Sequence, residues 1–193
     1  MTAAGIILTA GESRRMGRPK AYLPFRGATF LSNIADTFAR RCSPVIAVFG
    51  FDAARLAGLA PTSVTPVTNP NYQLGMLTSL QAGLRAVPAS CDTVLFTLVD
   101  HPAIAPATVD RVLESGAAIA IPRRRGKRGH PVLVRRRIFE EFLAEPLSAK
   151  VRDVIDRHAS EIEYIEVDDP GISDDIDDPD LYESLLAREA LSA

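Results

Sequence analysis

Residues 8–20 have the composition of a phosphate-binding loop. The segment directly follows a short apolar block and contains two glycines, three arginines and one lysine. Small residues after a buried strand allow backbone N–H groups to approach an anion closely, and arginine and lysine side chains neutralise its charge. The segment is neither a P-loop nor a Gly-x-Gly-x-x-Gly dinucleotide motif, because it has neither spacing of glycines. The residues by themselves leave an ordinary basic surface loop as the alternative.

Asp100 is the first candidate metal ligand. It follows the most apolar block of the chain and precedes His101 and Pro102, which predict a turn at the end of a strand. A carboxylate at the carboxyl end of a buried parallel strand faces the ligand crevice of an open α/β sheet. Magnesium prefers oxygen ligands and usually takes one or two protein carboxylates together with phosphate oxygens and water. The position therefore predicts a magnesium ligand.

A second basic segment, residues 123–131, lies between two short apolar blocks and contains two glycines. It predicts a charged turn between strands, and this structural role accounts for most of its arginines taken singly. Concentrated positive charge beside a ligand-binding edge would also attract an acceptor that carries a phosphate group. Both a structural turn and an acceptor site remain open for this segment.

Short apolar blocks alternate with longer segments of helical period, which is the pattern of an α/β fold. The predicted strands cover residues 5–8, 45–49, 64–67, 94–98, 118–121 and 132–134. Two amphipathic helices are predicted over residues 29–41 and 76–87. Their buried faces are predicted to be Phe30, Ile34, Thr37 and Phe38 in the first helix, and Met76, Leu80, Gly83, Leu84 and Val87 in the second. Because strands that are apolar throughout are covered on both faces, we expect three layers around a mostly parallel sheet.

The composition predicts a single globular domain over residues 1–193. The chain is 47% hydrophobic and 24% charged, and its net charge of -2 gives no general reason to bind nucleic acid or an anionic membrane. No apolar run approaches the ~18 residues that a membrane-spanning helix needs. Cys42 and Cys91 are the only cysteines, and the N-terminus lacks the pattern of a signal peptide. These features favour a cytoplasmic protein.

The loop after the first strand also resembles the signature of a known family. It reads Leu8-Thr9-Ala10-Gly11-x-Ser13-x-Arg15-Met16-Gly17-x-x-Lys20, similar to the nucleotidyltransferases related to the molybdenum-cofactor guanylyl- and cytidylyltransferases. The resemblance continues over nearly the whole chain through Asn69-Pro70, Gly75-Met76-x-x-Ser79-Leu80-x-x-Gly83, Asp100-x-Pro102, Gly129-His130-Pro131 and Asp175-Ile176-Asp177-x-Pro179. It implies a three-layer Rossmann-like fold, of the nucleotide-diphospho-sugar transferase type, with one antiparallel strand near an edge of the sheet.

The resemblance implies roles for individual residues. Arg15 and Lys20 match the positions that contact the triphosphate, and with Asp100 they are the expected catalytic residues. Asp177 matches a late metal-binding aspartate, so Asp100 and Asp177 would hold Mg²⁺, with a neighbouring aspartate of the same dense acidic segment as the alternative second ligand. His130 matches an acceptor-binding position. The residues expected to bind the nucleotide are Leu8, Thr9, Ala10, Gly11, Lys20, Asn69, Gly75 and Ser79.

The tetrad at the end of the first strand bears on the choice of nucleotide. In the resembled family, members that use GTP usually read Leu-Ala-Gly-Gly, and members that use CTP read Leu-Ala-Ala-Gly. This chain has Ala10 at the third position, as in the CTP group, whereas Thr9 departs from both patterns. Because the Cβ of Ala10 would narrow the base pocket, the resemblance favours CTP over GTP.

The resemblance implies a nucleotidyltransferase that moves a nucleoside monophosphate from a nucleoside triphosphate onto a phosphorylated acceptor of the pterin type and releases pyrophosphate. A molybdoenzyme or its chaperone is the further partner that it implies. Isoprenoid cytidylyltransferases and sugar-phosphate nucleotidyltransferases remain alternatives, since they share the loop and the paired aspartates. A nucleotide-binding maturation protein without turnover is another alternative. In the acidic segment, Asp178 or Asp180 could instead cap a C-terminal helix that begins near Pro179.

Overall fold

The computed structural model describes residues 2–191 as an α/β fold around one eight-stranded sheet and a separate two-stranded hairpin. Met1, Ser192 and Ala193, at the ends of the predicted domain, lie outside the described residues. All six predicted strands are present; a further strand near the C-terminus and three two-residue strands were not predicted. The strands are β1 (Ala3–Leu8), β2 (Pro24–Phe25), β3 (Ala28–Thr29), β4 (Val45–Phe49), β5 (Thr65–Thr68), β6 (Thr93–Leu98), β7 (Ile119–Arg124), β8 (Lys127–Arg128), β9 (Val132–Arg135) and β10 (Ile162–Glu166).

The main sheet has the strand order β10-β7-β9-β6-β1-β4-β5, with β8 paired to β7. β1 lies at the centre between β4 and β6 and is parallel to both, so that Ile6 is opposite Ile46 on one side and Phe96 on the other. β9 is antiparallel to both of its neighbours. The expected mostly parallel sheet with an antiparallel strand near one edge is therefore confirmed, and the short β7-β8 hairpin adds a third antiparallel pair.

Helices cover both faces of the sheet because its buried strands alternate their side chains between two cores. Ile7 packs in the core that includes Phe30 and Phe38, whereas its neighbour Ile6 packs in the core that includes Leu80. The helices are α1 (Phe30–Ala39), α2 (Ala53–Ala57), α3 (Met76–Arg85), α4 (Pro106–Leu113), α5 (Arg136–Ala144), α6 (Val151–Arg157) and α7 (Pro179–Ala190). The predicted three layers are confirmed. Within residues 2–191, no helix has both the length and the apolar character needed to cross a membrane.

The two predicted helices are present, with one error in a buried face. α1 begins after Thr29, whose hydroxyl accepts a hydrogen bond from the backbone N–H of Ser32, and it buries Phe30 and Phe38 as predicted. Met76, predicted to lie in the core, is 45% exposed. As the first residue of α3 it lies beside a cleft instead of over the sheet. Helical periodicity predicted the correct side of α3, but it could not show that the sheet does not extend beneath the first residue of the helix.

β10 was missed because it does not read as an apolar block. Its sequence, Ile-Glu-Tyr-Ile-Glu, contains two glutamates among five residues, and none of its residues is fully buried. It pairs only with β7, at the edge of the sheet, where one side of the strand has no partner strand. Prediction from apolar blocks therefore misses an edge strand whose apolar residues are interrupted by charged ones.

His158, at the end of α6, lies between two glutamates, and this arrangement predicts a pH-dependent contribution to stability. Its Nδ1 is 2.7 Å from Glu161 and its Nε2 is 2.8 Å from Glu141. Hydrogen bonding to Glu161, followed by that to Glu141, raises the pKa of His158. The protonated imidazole therefore stabilises the fold below the unfolded-state pKa of about 6.5, and this stabilisation is lost as the pH rises through the raised folded-state pKa.

We expect His158→Asn to lower Tm more at pH 5.5 than at pH 9, as measured by circular dichroism. The control is Asp156→Asn at an exposed position of the same helix. An equal loss of Tm for His158→Asn at both pH values would show that the histidine acts through packing and not through its charge.

Candidate active site

A cleft of about 470 Å³ opens at the carboxyl ends of β1 and β6. The ends of parallel strands form the ligand crevice of open α/β sheets, and this volume falls within the range of roughly 300–1,000 Å³ for small-molecule sites. Most of the residues predicted from the sequence line this cleft. They are Leu8, Thr9, Ala10, Gly11, Arg15, Lys20, Gly75, Ser79, Asp100 and Asp177.

The loop after β1 folds back so that Lys20 lies inside the cleft. Ser13 has a positive φ of 53°, and its hydroxyl accepts a hydrogen bond of 3.2 Å from the backbone N–H of Lys20. The Lys20 side chain is only 9% exposed, and its Nζ donates a hydrogen bond of 3.2 Å to Asp100 Oδ2. It also donates to Asp177 Oδ1. Arg15, which remains mostly exposed, donates to the other oxygen of Asp177.

Asp100, Asp175 and Asp177 form an acidic cluster beside this lysine. The backbone N–H of Ile176 donates a hydrogen bond of 3.0 Å to the carbonyl of Asp100, which holds the late acidic segment against the end of β6. One carboxylate oxygen from each of the three aspartates lies within 4.8 Å of the others. The tertiary structure thus brings together carboxylates that are far apart in the sequence.

The protonation of the cluster follows from this crowding. Burial raises the pKa of Asp175, and the neighbouring carboxylates of Asp100 and Asp177 raise it further. Burial alone would also raise the pKa of Asp177, but its hydrogen bonds to Lys20 and Arg15 outweigh that effect and lower the pKa below its usual value. Asp177 is therefore a carboxylate at neutral pH. The raised pKa of Asp175 results from its burial and from the negative charge of the neighbouring carboxylates.

The cluster fits a divalent cation. Its oxygens are the hard ligands that such ions prefer, and they come from both sides of the cleft. Among the described residues, Asp100 Oδ1 is buried and has no hydrogen-bond partner. The nearby Nε2 of His101 lies 3.7 Å away, beyond hydrogen-bond distance. A buried carboxylate oxygen without a donor has capacity for a metal ion.

The opposite end of the cleft is apolar. Leu56 of α2 and Tyr72, which follows β5, line it there. The hydroxyl of Tyr22 donates a hydrogen bond to the carbonyl of Leu56 and holds α2 in place. Gly50 is required behind Tyr72, because a Cβ at that position would overlap the tyrosine ring and the carbonyl of Ala10. Since β6, β1, β4 and β5 lie side by side about 4.8 Å apart, the apolar end lies ~10–14 Å across the sheet from Asp100.

Two predicted site residues do not line the cleft. Asn69 is buried beneath it, and its Nδ2 donates hydrogen bonds of 2.9 Å and 3.0 Å to the hydroxyls of Thr78 and Ser79. The ring of His130 lies 4.7 Å from that of His101 behind Asp100. Burial lowers the pKa of His130 to about 3, so its ring is neutral. The acceptor-binding role of His130 and the nucleotide-binding role of Asn69 remain predictions.

Sequence reasoning missed several residues of the cleft. Asp175 lies two positions before Asp177, and this spacing in an extended segment was a signal that both could reach one ion. Leu56 and Tyr72 carried no comparable signal, because each follows a different strand and neither belongs to a polar motif. The alternative function of the acidic segment is also present, since Asp178 caps α7 by accepting a hydrogen bond from the backbone N–H of Leu181.

The second basic segment forms the predicted turn between strands. Arg125 and Gly126 both have positive φ, as a two-residue hairpin turn between β7 and β8 requires. Arg123 pairs with Glu166, and Arg124 pairs with Asp168 at 2.9 Å. These two arginines are compensated by carboxylates of the β10 region. Attraction of an acceptor phosphate by this segment remains a prediction.

The fold and the cleft together define a class of protein. A mostly parallel three-layer sheet, a cationic loop after its central strand and a carboxylate cluster at the neighbouring strand end are typical of α/β proteins that bind a nucleoside triphosphate with a divalent cation.

Comparison with known proteins specifies the class. Residues 5–162 match the family model of the MobA-like NTP transferase domain. The chain is 31% identical over 191 residues to the molybdenum cofactor cytidylyltransferase of Escherichia coli. The match covers 95% of this chain and 94% of that protein. It is also 34% identical over 145 residues to nicotine blue oxidoreductase of Paenarthrobacter nicotinovorans, covering 67% and 69% of the two chains.

Solved structures agree with this match. The crystal structure of Rv0371c from Mycobacterium tuberculosis superposes with a TM-score of 0.82 at 27% identity, covering 97% of this chain and 99% of that one. A second structure of Rv0371c, in complex with manganese, has a TM-score of 0.76 at 26% identity and covers 97% and 99% of the two chains. The chain belongs to the MobA-like NTP transferase family, which confirms the resemblance seen in its motifs and its assignment to the nucleotidyltransferases.

Proposed function

We propose that this protein transfers CMP from CTP to the phosphate group of a pterin-type cofactor, with Mg²⁺ as the divalent cation. The observation that carries the proposal is the convergence of Lys20, Arg15 and three carboxylates at one end of a single cleft. Such a site matches the triphosphate of a nucleotide and its metal ion. The length of the E. coli cytidylyltransferase match, which covers almost the whole of both chains, supports the acceptor class.

In the proposed reaction an oxygen of the acceptor phosphate attacks the α-phosphorus and forms a new P–O bond. The bond between the α-phosphorus and the α–β bridging oxygen breaks, and pyrophosphate leaves with the electron pair. Lys20 and Arg15 neutralise the negative charge that grows on the α-phosphate and on the departing pyrophosphate. Fixed cationic groups that stabilise a developing charge contribute most in a site that excludes water. No covalent enzyme intermediate and no general base are required, because a phosphate monoester is already nucleophilic at neutral pH.

Asp100 and Asp177, with Asp175 as a third donor, would hold Mg²⁺ at this end of the cleft. The ion supplies Lewis-acid stabilisation of phosphate oxygens when it is bound. The rest of catalysis is positioning, since the two cationic side chains and the carboxylates are attached to different elements and fix the orientation of the triphosphate between them.

CTP is favoured over GTP by the apolar end of the cleft. A nucleotide whose phosphates lie beside Lys20 would place its base toward Leu56 and Tyr72, on the far side of Ala10. The methyl group of Ala10 and the fixed position of Leu56 narrow this end, which suits the single ring of a pyrimidine better than the double ring of a purine. The E. coli relative is named a cytidylyltransferase, which agrees with this preference for CTP.

The name of the Paenarthrobacter relative describes a redox activity of that protein. In this chain, the cluster of two cationic side chains and three carboxylates favours phosphoryl chemistry over a redox reaction. We propose that the acceptor binds beside the neutral His130 and the second basic segment. A molybdoenzyme or its chaperone is the proposed recipient of the product.

A nucleotide screen tests the proposal. With CTP, GTP, ATP and UTP, each with and without Mg²⁺, we expect CTP with Mg²⁺ to raise Tm by about 5–10 °C at one hundred times its Kd, because the ligand binds only the folded state. Pyrophosphate release should then require a molybdopterin acceptor. Release with an isoprenoid phosphate or a sugar phosphate instead would replace the proposed acceptor. Nucleotide binding without release of pyrophosphate from any acceptor would favour a non-catalytic maturation protein.

A further inference from the structure

Lys20 makes its contacts with the same carboxylates that would hold the divalent cation. Its ammonium group donates hydrogen bonds to Asp100 Oδ2 and Asp177 Oδ1, and both residues belong to the acidic cluster. A lysine ammonium and a divalent cation held by the same two carboxylates would lie within a few ångströms of each other. Two positive groups at that separation repel strongly in a partly buried site. The structure therefore presents two competing uses of the same two carboxylates.

The charge balance of the cleft shows what each arrangement lacks. Lys20 and Arg15 supply two positive charges against the three carboxylates of the acidic cluster. Because the carboxylates outnumber these two side chains by one, the cleft is slightly negative without a divalent cation. The cation makes it slightly positive, since Lys20 and Arg15 remain attached to the chain, and the negative charge of a bound triphosphate would offset this excess.

The side chain of Lys20 can place its ammonium group either on the carboxylates or on a bound phosphate. Its backbone is held by the hydrogen bond to Ser13, and its side chain is largely buried, so its position at the base of the cleft is fixed. The four-carbon side chain is flexible, and its ammonium group is a compact charge with three donors. A change of side-chain rotamer can move the charge from the carboxylates to a phosphate without any movement of the fold.

We infer that Lys20 is an internal counterion that exchanges with the divalent cation, so that tight cation binding depends on the nucleotide. Without nucleotide, the ammonium group neutralises Asp100 and Asp177 and weakens cation binding. When the triphosphate enters, Lys20 transfers to its phosphate oxygens, and the carboxylates become available to the cation. This inference rests on the proposed nucleotidyl transfer and adds to it an order of events and a second role for Lys20.

Cation binding without turnover provides the test. Isothermal titration of Mn²⁺ at pH 8 would compare the wild-type protein with Lys20→Met and with the control Lys150→Met, which replaces an exposed lysine at the start of α6. In the absence of nucleotide we expect Lys20→Met to bind Mn²⁺ about tenfold more tightly or better, and Lys150→Met to match the wild type. Lys20→Gln is the second variant, should the methionine impair folding.

A second titration examines the nucleotide dependence. With a CTP analogue that cannot be cleaved between the α- and β-phosphates, the Mn²⁺ affinity of the wild type should rise by about tenfold or more, and that of Lys20→Met should rise less. Equal or weaker Mn²⁺ binding by the Lys20 variants without nucleotide would overturn the inference, and so would a wild-type affinity that the analogue leaves unchanged.

The outcome is separable from that of the proposed function. Release of pyrophosphate with unaltered Mn²⁺ affinity in the Lys20 variants would retain the transfer reaction and remove the counterion exchange. The expected Mn²⁺ behaviour without release of pyrophosphate from any acceptor would retain the exchange and remove the transferase activity.

Discussion

Asp100→Ala lowers kcat/KM for pyrophosphate release by about 10³-fold or more, the largest effect that we expect from any single substitution. Asp100 provides a buried carboxylate oxygen without a donor, and it also anchors Lys20. Its removal takes away a ligand of the proposed cation and loosens the lysine that faces the phosphates, so two electrostatic contributions to the transition state are weakened together. A coupled assay for pyrophosphate over a range of CTP concentrations, at saturating acceptor and Mg²⁺, measures the effect.

Asp36→Ala, at an exposed position of α1, is the matched control and should retain the wild-type rate. Asp100→Asn separates charge from shape, because it keeps the volume of the side chain but not the charge, and it should be nearly as impaired as the alanine variant. If Asp100→Ala changed only Tm and left kcat/KM intact, Asp100 would be a structural residue at the end of β6.

Lys20→Ala should reduce kcat/KM by about 10²- to 10³-fold, the range found when one fixed donor to a developing charge is removed. The loss should fall mainly on kcat, because the charge on the departing pyrophosphate grows in the transition state and the exposed Arg15 still attracts the triphosphate in the ground state. Steady-state kinetics across CTP concentrations provide both parameters.

Lys150→Ala serves as the control for Lys20, and its kcat and KM should equal those of the wild type. An unchanged kcat in Lys20→Ala would exclude the transition-state role. Combined with the Mn²⁺ titrations, the variant makes a distinctive pair of results, since it should hold the divalent cation more tightly and still turn over slowly. A lysine that merely stabilised the fold would lower Tm without producing that combination.

Much of the candidate site could be predicted from local sequence because parallel strands place their carboxyl ends at one edge. The apolar blocks located β1 and β6, and the residues that follow them, Lys20 in the loop and Asp100 at the strand end, had to lie near the same crevice. Asp177 came from the resemblance of its motif and not from any property of the strand pattern. The structure brings all three side chains into contact.

Other features depended on parts of the chain whose relative positions have no local signal. Leu56 and Tyr72 meet at the cleft because β4 and β5 are neighbours, and Gly50 permits the close approach of the tyrosine. Met76 was assigned to the core because helical periodicity indicates the direction of a side chain but not whether the sheet extends beneath it. The prediction for Met76 was therefore right about the side of the helix on which it lies and wrong about its burial.

The sequence by itself determined the α/β class, the positions of the central strands and the cationic loop, since each depends on residues that are neighbours along the chain. Only the tertiary structure decided that Lys20 pairs with Asp100 and Asp177, which lie 80 and 157 positions away. It also decided that Asp175 joins them and that Leu56 and Tyr72 line the same cleft. These contacts follow from the order of strands in the sheet and from the hydrogen bond that holds residue 176 against the end of β6, and local periodicity specifies neither.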